Sequence, residues 1–155
     1  MQINYLKGDA TQPIGHGNKI IVHICNDIGG WGKGFVLAIS SRWEGPEKQY
    51  REWFYRNNNF KLGEVGIVKV EPEIWVANMI GQSGINRNNL GLPPIRYEAV
   101  ESALEKVADF SIEMDASVHM PRIGCGLAGG KWELIEQIIN KKLIERKISV
   151  TVYDL

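Results

Sequence analysis

Apolar positions along the chain switch between a period near two and a period of three to four. Ile3 to Lys7 alternates as a short strand and breaks at Gly8-Asp9-Ala10-Thr11. Ile20 to Cys25 is a nearly unbroken apolar run, the pattern of a strand buried on both faces. Phe35 to Trp43 reads as a helix stopped by Gly45-Pro46, and Pro46 to Tyr55 as a second helix closed by a turn at Asn57-Asn58-Asn59. Val65 to Val70 and Ile74 to Met79 read as two strands joined by a tight turn at Glu71-Pro72. Gly81 to Pro94, rich in Gly and Asn, forms a long loop. Tyr97, Val100, Leu104, Val107 and Phe110 recur at steps of three and four, one face of a helix. Ser117 to Ile123 is a strand, and Trp132, Ile135, Ile138, Ile139 and Leu143 mark an amphipathic helix. Ile148, Val150 and Val152 alternate in a last strand ending at Tyr153-Asp154-Leu155.

Strands alternating with helices predict an α/β layer fold with a largely parallel sheet, built as one domain over residues 1–155. No internal repeat, low-complexity tract or linker interrupts it. Two loops carry the chemistry. Asn26-Asp27-Ile28-Gly29-Gly30-Trp31-Gly32-Lys33-Gly34 follows the strand ending at Cys25, and Gly124-Cys125-Gly126-Leu127-Ala128-Gly129-Gly130 follows the strand ending at Ile123. Each leaves the carboxyl end of an apolar strand and leads into a helix, and in open α/β sheets that edge binds ligands. Residues without a Cβ let backbone N–H groups approach a ligand closely. A helix start behind the second loop adds a partial positive charge, so that loop reads as a cradle for a phosphate or diphosphate. Two such loops on one edge can clasp one phosphate-bearing molecule.

Charge narrows the reading. Lys plus Arg equals Asp plus Glu, 18 each, for a formal net charge of zero. That argues against a dedicated nucleic-acid or membrane-surface binder. No apolar run approaches the ~20 residues that cross a bilayer. Met1 runs straight into a strand pattern with no signal peptide, so a cytoplasmic, reduced protein is expected, and a monomer. Cys25 and Cys125 form no disulfide framework and read as small buried fillers. His16, His23 and His119 have no zinc-ligand spacing, and neither a metal nor a cofactor is expected.

Several motifs carry candidate chemistry. Gly124-Cys125-Gly126-Leu127-Ala128-Gly129 matches the dinucleotide fingerprint G-x-G-x-x-G literally, yet too little chain follows it to hold an adenosine. The P-loop pattern fails, because Cys125 and Trp132 stand where Gly and Ser or Thr are required. Asp9 at a loop start has two readings: an Asx-type cap on its own turn, or a carboxylate accepting from the exocyclic amine of adenine. His23 within an apolar strand reads as a core histidine or as a general base. Asn26 and Asp27 end that strand at the ligand edge. Trp31 is a lid or a core residue.

In their order and spacing these motifs resemble the macrodomains, which bind ADP-ribose. The carriers are Lys7-Gly8-Asp9-Ala10-Thr11, Ile21-Val22-His23-Ile24-Cys25-Asn26, Gly29-Gly30-Trp31-Gly32-Lys33-Gly34, Met120 to Gly130 and Val152-Tyr153-Asp154-Leu155. The chain is most similar to the branch holding terminal ADP-ribose protein glycohydrolases and ADP-ribose 1″-phosphate phosphatases. The resemblance implies a three-layer α/β/α fold with a mixed, largely parallel central sheet. It implies that Asp9 and the Ala10 N–H read adenine, with Gly8 and Thr11 in the same ligand-binding segment, and that Tyr153 packs on adenine or its ribose. Gly124, Cys125, Gly126, Leu127, Ala128 and Gly129 would wrap the diphosphate. Gly30, Trp31, Gly32, Lys33 and Gly34 would cover its other side, and Asn26 would bond the distal ribose. The glycohydrolases' lysine is missing from Ala77-Asn78-Met79-Ile80-Gly81-Gln82-Ser83, and Ala128 stands where their aspartate is expected. That mechanism does not carry over. The phosphatases' His…Asn pair matches His23 and Asn26.

Three functions follow as expectations. The first is a hydrolase acting at C1″ of an ADP-ribose derivative, with Asn26 orienting the ribose and His23 or Asp27 accepting a proton from water. The second is a reader that binds ADP-ribose without turnover. The third, disfavoured by the neutral charge, is a nucleic-acid-binding domain.

Overall fold

The computed structural model describes residues 1–155. Six strands form one sheet: β1 (Asn4–Lys7), β2 (Asn18–Asn26), β3 (Val65–Glu71), β4 (Ile74–Gln82), β5 (Ala116–Met120) and β6 (Val150–Asp154). Their order is β1-β6-β5-β2-β4-β3. All neighbours run parallel except the edge strand β3, which is antiparallel to β4. Four helices cover the faces: α1 (Phe35–Ser40), α2 (Gly45–Arg56), α3 (Tyr97–Met114) and α4 (Trp132–Lys142).

Strand parity sorts the side chains, because successive Cβ atoms point to opposite faces. Ile20 and Val22 of β2, Ala77 and Met79 of β4, Val118 of β5 and Val150 of β6 bury one face against Val100, Leu104 and Val107 of α3 and Ile135 and Ile139 of α4. The opposite face presents Ile21, Cys25 and Val76 to Val36 and Ile39 of α1, Tyr50 of α2 and Trp31. This is the expected three-layer α/β/α arrangement with a mixed, largely parallel sheet.

Boundaries differ from expectation where backbone chemistry decides. β5 stops at Met120 rather than Ile123, since Pro121 has no N–H for the ladder and the Ile123 N–H turns back to the Pro121 carbonyl (2.8 Å). α1 ends at Ser40 rather than Trp43, where the Arg42 and Trp43 N–H groups both reach the Ile39 carbonyl and the helix unwinds. Asn57 caps α2 and Asp115 caps α3 in the left-handed region, at φ 51° and 49°. That conformation is commonest, after glycine, in Asn and Asp. No helix is long and apolar enough to cross a membrane.

Candidate functional site

Three loops at the carboxyl ends of β2, β4 and β5 enclose a cleft of about 880 Å³. Its size lies within the range of small-molecule sites, roughly 300–1,000 Å³. Both glycine-rich loops line it. The end of β4 adds Gln82, the loop after it Ile85 and Asn86, and α2 adds Arg51.

The first loop is held by Asn26. Its Oδ1 accepts from the N–H groups of Ile28 (3.0 Å) and Gly30 (2.9 Å), while its amide N–H donates to the Gly30 carbonyl (2.8 Å). The fully buried Tyr50 hydroxyl lies 2.6 Å from the Asn26 carbonyl and 2.8 Å from Oδ1, fixing the amide in turn. Trp31 sinks into the core beneath this loop and donates its indole N–H to the Ser40 hydroxyl (2.8 Å). Arg51 donates to the carbonyls of Gly29 and Trp31, at 3.3 Å each, and to Glu47 (2.9 Å).

The second loop closes on itself through the Gly130 N–H, which donates to the Gly124 carbonyl (2.6 Å). Gly124 has φ 75°, and a Cβ there would lie 2.8 Å from Ile95 Cδ1. The left-handed φ favours glycine, and an added Cβ would also have to displace the Ile95 δ-methyl. Arg122 pins the start of the loop. It pairs with both Asp154 oxygens (2.7 and 3.0 Å) and lies 5.1 Å from the rings of Tyr5 and Trp132. Leu127 reaches back over the first loop, its Cδ1 3.7 Å from where a Gly34 Cβ would stand.

The cleft favours an anion. The N–H groups of Gly32, Lys33, Gly34, Phe35 and Val36 on one side, and of Gly126, Leu127 and Ala128 on the other, have no partner within the chain. Lys33, Arg51 and Arg122 line the same space, and no Asp or Glu does. Backbone nests of this kind hold phosphate oxygens.

Several expected site residues lie off the cleft lining or are engaged by partners within the chain. The start of α4 does not point into the cradle: the Lys131 N–H donates to the Tyr97 hydroxyl (2.9 Å), and Gly129 to Lys131 lie off the cleft. Cys125 does not line it either. His23 is buried and hydrogen-bonded through Nε2 to Asn78 Oδ1, with its ring edge-on to Trp31 at 5.4 Å. The Asn78 amide donates to Pro46 and Gln49, so its oxygen faces the histidine and Nε2 is the donor. Burial holds the His23 pKa down to about 4, against a smaller opposing effect of that hydrogen bond. It is a buried residue at the edge of the cleft, with Nε2 engaged by Asn78. Asp27 accepts the Gly84 N–H (2.8 Å), stapling the β2 and β4 loops together, and does not line the cleft.

Tyr153 is 3% exposed, with its hydroxyl accepting from the Ile14 N–H and bonded to His119, so it has no free ring face for stacking. Gly8, Asp9, Ala10 and Thr11 sit at the same sheet edge but outside the cleft lining. Asp9 caps its own turn, its Oδ1 accepting from the Thr11 N–H (2.8 Å) and hydroxyl (2.7 Å). Its Oδ2 lies 3.6 Å from Arg42. Partial burial raises its pKa, but the Thr11 hydrogen bonds and the Arg42 charge outweigh that and leave it below the usual carboxylate value. The Ala10 N–H has no partner within the chain.

No protein-family model matches the chain. A solved protein of unknown function from Bacteroides thetaiotaomicron is 64% identical, covers 100% of this chain and 99% of its own, and superimposes with a TM-score of 0.99. A macrodomain protein from Streptomyces coelicolor is 54% identical over 99% of both chains, with a TM-score of 0.89. The chain is a macrodomain. Among curated relatives, a chromodomain-helicase-DNA-binding protein 1-like from Danio rerio is 32% identical over 160 residues, 97% of this chain. The chain spans 15% of that relative's length. An ADP-ribose 1″-phosphate phosphatase from Candida albicans is 27% identical, over 90% of this chain and 92% of its own.

Sequence reasoning missed Arg51, Ile85, Asn86 and Arg122 in this macrodomain's cleft. Arg51 carries only a surface-helix signal, an i,i+4 pair with Glu47. Ile85 and Asn86 lie in a loop whose composition shows flexibility and nothing of its position. Arg122 lies inside the recognised Met120–Gly130 motif, yet its partners Tyr5, Trp132 and Asp154 come from three other elements.

Proposed function

We propose that this macrodomain binds ADP-ribose in the cleft and hydrolyses a bond at C1″ of an ADP-ribose derivative. The observation that carries the binding is the pair of runs of unpartnered backbone N–H groups, one from each glycine-rich loop, among the residues that line a single cleft. They match a diphosphate, which needs donors from two sides. Asn26 is assigned to the distal ribose: one N–H of its amide is spent on Gly30, leaving the second for a ribose hydroxyl. Asp9 Oδ2 and the free Ala10 N–H are assigned to the adenine edge.

Hydrolysis is supported by relatives matched along nearly their whole length, the Candida albicans phosphatase among them. Departure from C1″ develops oxocarbenium character. The chain's contribution is to hold the diphosphate against that centre and fix the ribose, so that positioning and electrostatics do most of the work. With His23 engaged by Asn78 and no carboxylate lining the cleft, no side chain is assigned as base. Water adds to C1″ as the C1″–O bond to the leaving group breaks. The leaving group takes the electron pair, and the proton lost by the water passes to it, directly or by way of a phosphate oxygen.

A second reading, a reader that binds without turnover, is favoured by that same lack of a protein base. A thermal-shift series with ADP-ribose, ADP, AMP and NAD tests binding. ADP-ribose should stabilise the fold more than AMP, because ligand binding to the native state raises its stability. Equal shifts, or none, defeat the proposal. Incubation with ADP-ribosylated protein and with ADP-ribose 1″-phosphate separates the two readings. Product release that disappears in Asn26→Ala supports hydrolysis, and tight binding with no release from either leaves the reader.

A further inference from the structure

The first loop owes its electropositive face to the concealment of its carbonyls. In a planar trans peptide the C=O and the following N–H point in opposite directions. The Gly29 carbonyl accepts from Arg51, and the next N–H, of Gly30, donates to Asn26. The Gly30 carbonyl accepts from the Asn26 amide, which turns the Trp31 N–H the other way. The Trp31 carbonyl accepts from Arg51 Nη2, which turns the Gly32 N–H the other way. Three successive carbonyls are thus drawn off by two side chains. The Trp31 and Gly32 N–H groups keep no partner within the chain.

Arg51 is itself fixed by a closed polar ring. The Trp31 indole donates to Ser40, Ser40 donates to Glu47 Oε1 (3.1 Å), Arg51 Nε donates to Glu47 Oε2, and Arg51 returns to the Trp31 carbonyl. Only the last link constrains the Trp31–Gly32 peptide directly. Nothing lies within 4 Å of a Cβ placed on Gly32, so the chain is open at that residue.

We propose that Arg51 is a positioning residue that sets the orientation of the Trp31–Gly32 peptide, and with it the sign of the potential that the first loop shows to an anion. Without the guanidinium the Trp31 carbonyl is released to point into the cleft, where it repels a phosphate instead of binding it. The proposal rests on the cleft being the diphosphate site, and its test separates the two claims.

The peptide orientation is read in the ligand-free protein, from the residual dipolar coupling of the Gly32 N–H. It should change in Arg51→Ala and return toward the wild-type value in Arg51→Lys, whose single ammonium can still cap one carbonyl. Glu47→Gln, which loosens the guanidinium without removing it, should give an intermediate coupling. Affinity is read alongside. Arg51→Ala should lose about tenfold in ADP-ribose affinity, one charge-assisted hydrogen bond's worth. Its AMP affinity should hold, because AMP lacks the second phosphate and the distal ribose that this loop covers. An unchanged Gly32 coupling in Arg51→Ala overturns the inference whatever the ligand does. A changed coupling with no ADP-ribose binding in the wild type instead overturns the reading of the cleft and leaves the peptide's dependence on Arg51 standing.

Discussion

Gly126→Ala separates a glycine kept for a ligand from one kept for the fold. Gly126 lines the cleft, has no left-handed φ, and nothing lies within 4 Å of an added Cβ. The folded chain therefore accepts alanine, and the unfolded chain loses freedom, a gain of about 0.4–1 kcal/mol. For a chain of 155 residues that raises Tm by roughly 1–4 °C. The bound state behaves oppositely. A phosphate oxygen accepting from the N–H sits about 2.9 Å from nitrogen, and a methyl beside it demands about 3.5 Å. Losing a charge-assisted hydrogen bond costs about 1.5–3 kcal/mol, or roughly 10–150-fold in Kd. Calorimetry with ADP-ribose and a thermal melt on the same sample read both effects. The control is Gly124→Ala, with φ 75° and Ile95 Cδ1 only 2.8 Å from the new Cβ. Strain of about 1–3 kcal/mol should lower its Tm. A Gly126→Ala variant that binds ADP-ribose like the wild type would refute the close backbone approach. One that melts well below the wild type would show that the position belongs to the fold.

Three further outcomes follow from the same geometry. Burial lowers His23 and His119 to about 4, below the unfolded value of 6.5. The unfolded chain then binds more protons as pH falls through 6.5, so stability should be flat above pH 7 and decline from about 6.5 toward 4, by the order of 1–3 kcal/mol per histidine. Urea midpoints that do not move between pH 7 and 4.5 contradict this. Tyr50→Phe keeps the buried ring but removes the hydroxyl that meets Asn26. It should cost about 1–3 kcal/mol and roughly 2–12 °C in Tm, with weaker ADP-ribose binding; an unchanged melt means the amide is held without it. Asp9→Asn should weaken ADP-ribose and AMP alike, by about 1.5–3 kcal/mol. Unchanged AMP affinity in that variant would move adenine elsewhere.

Layer order, nearly every element and both glycine-rich loops were legible because each is written in local spacing: alternation, three-and-four steps, glycine after a strand. Convergence of the two loops on one cleft also followed, since both leave parallel strands at one sheet edge. The roles of single polar residues did not. His23 stands opposite Asn78 in the β2–β4 register, a pairing 55 residues apart, and that partner makes it structural. Asp27 finds the Gly84 N–H 57 residues away. Tyr153 shares a face with His119 one strand over, and its hydroxyl is drawn inward. In each case the residue type fitted a catalytic or stacking role, and a distant partner assigned another. The Asx cap at Asp9, a bond to Thr11 two residues on, was legible for the complementary reason.

A formal charge of zero and the proposed anion site are compatible if the site is built mainly from peptide groups. Every peptide has a donor and an acceptor, so a loop gains net positive character only if its acceptors are taken out of reach. Here side chains do that work. Asn26 and Arg51 take the carbonyls of residues 29–31. In the second loop the Gly130 N–H takes the Gly124 carbonyl, and the Ile95 N–H takes that of Ala128 (3.1 Å). The two arginines at the cleft are each balanced by a carboxylate, Arg51 by Glu47 and Arg122 by Asp154, so they add little net charge while fixing backbone direction. Binding of this kind should depend only modestly on salt, because peptide dipoles and one unpaired cation, Lys33, rather than a cluster of free cations, meet the phosphates. A residue count of charges cannot reveal such a site. The requirement for donors without competing acceptors also explains why glycines crowd these loops: the chain must turn sharply enough to aim successive N–H groups at one point while its carbonyls face side chains behind.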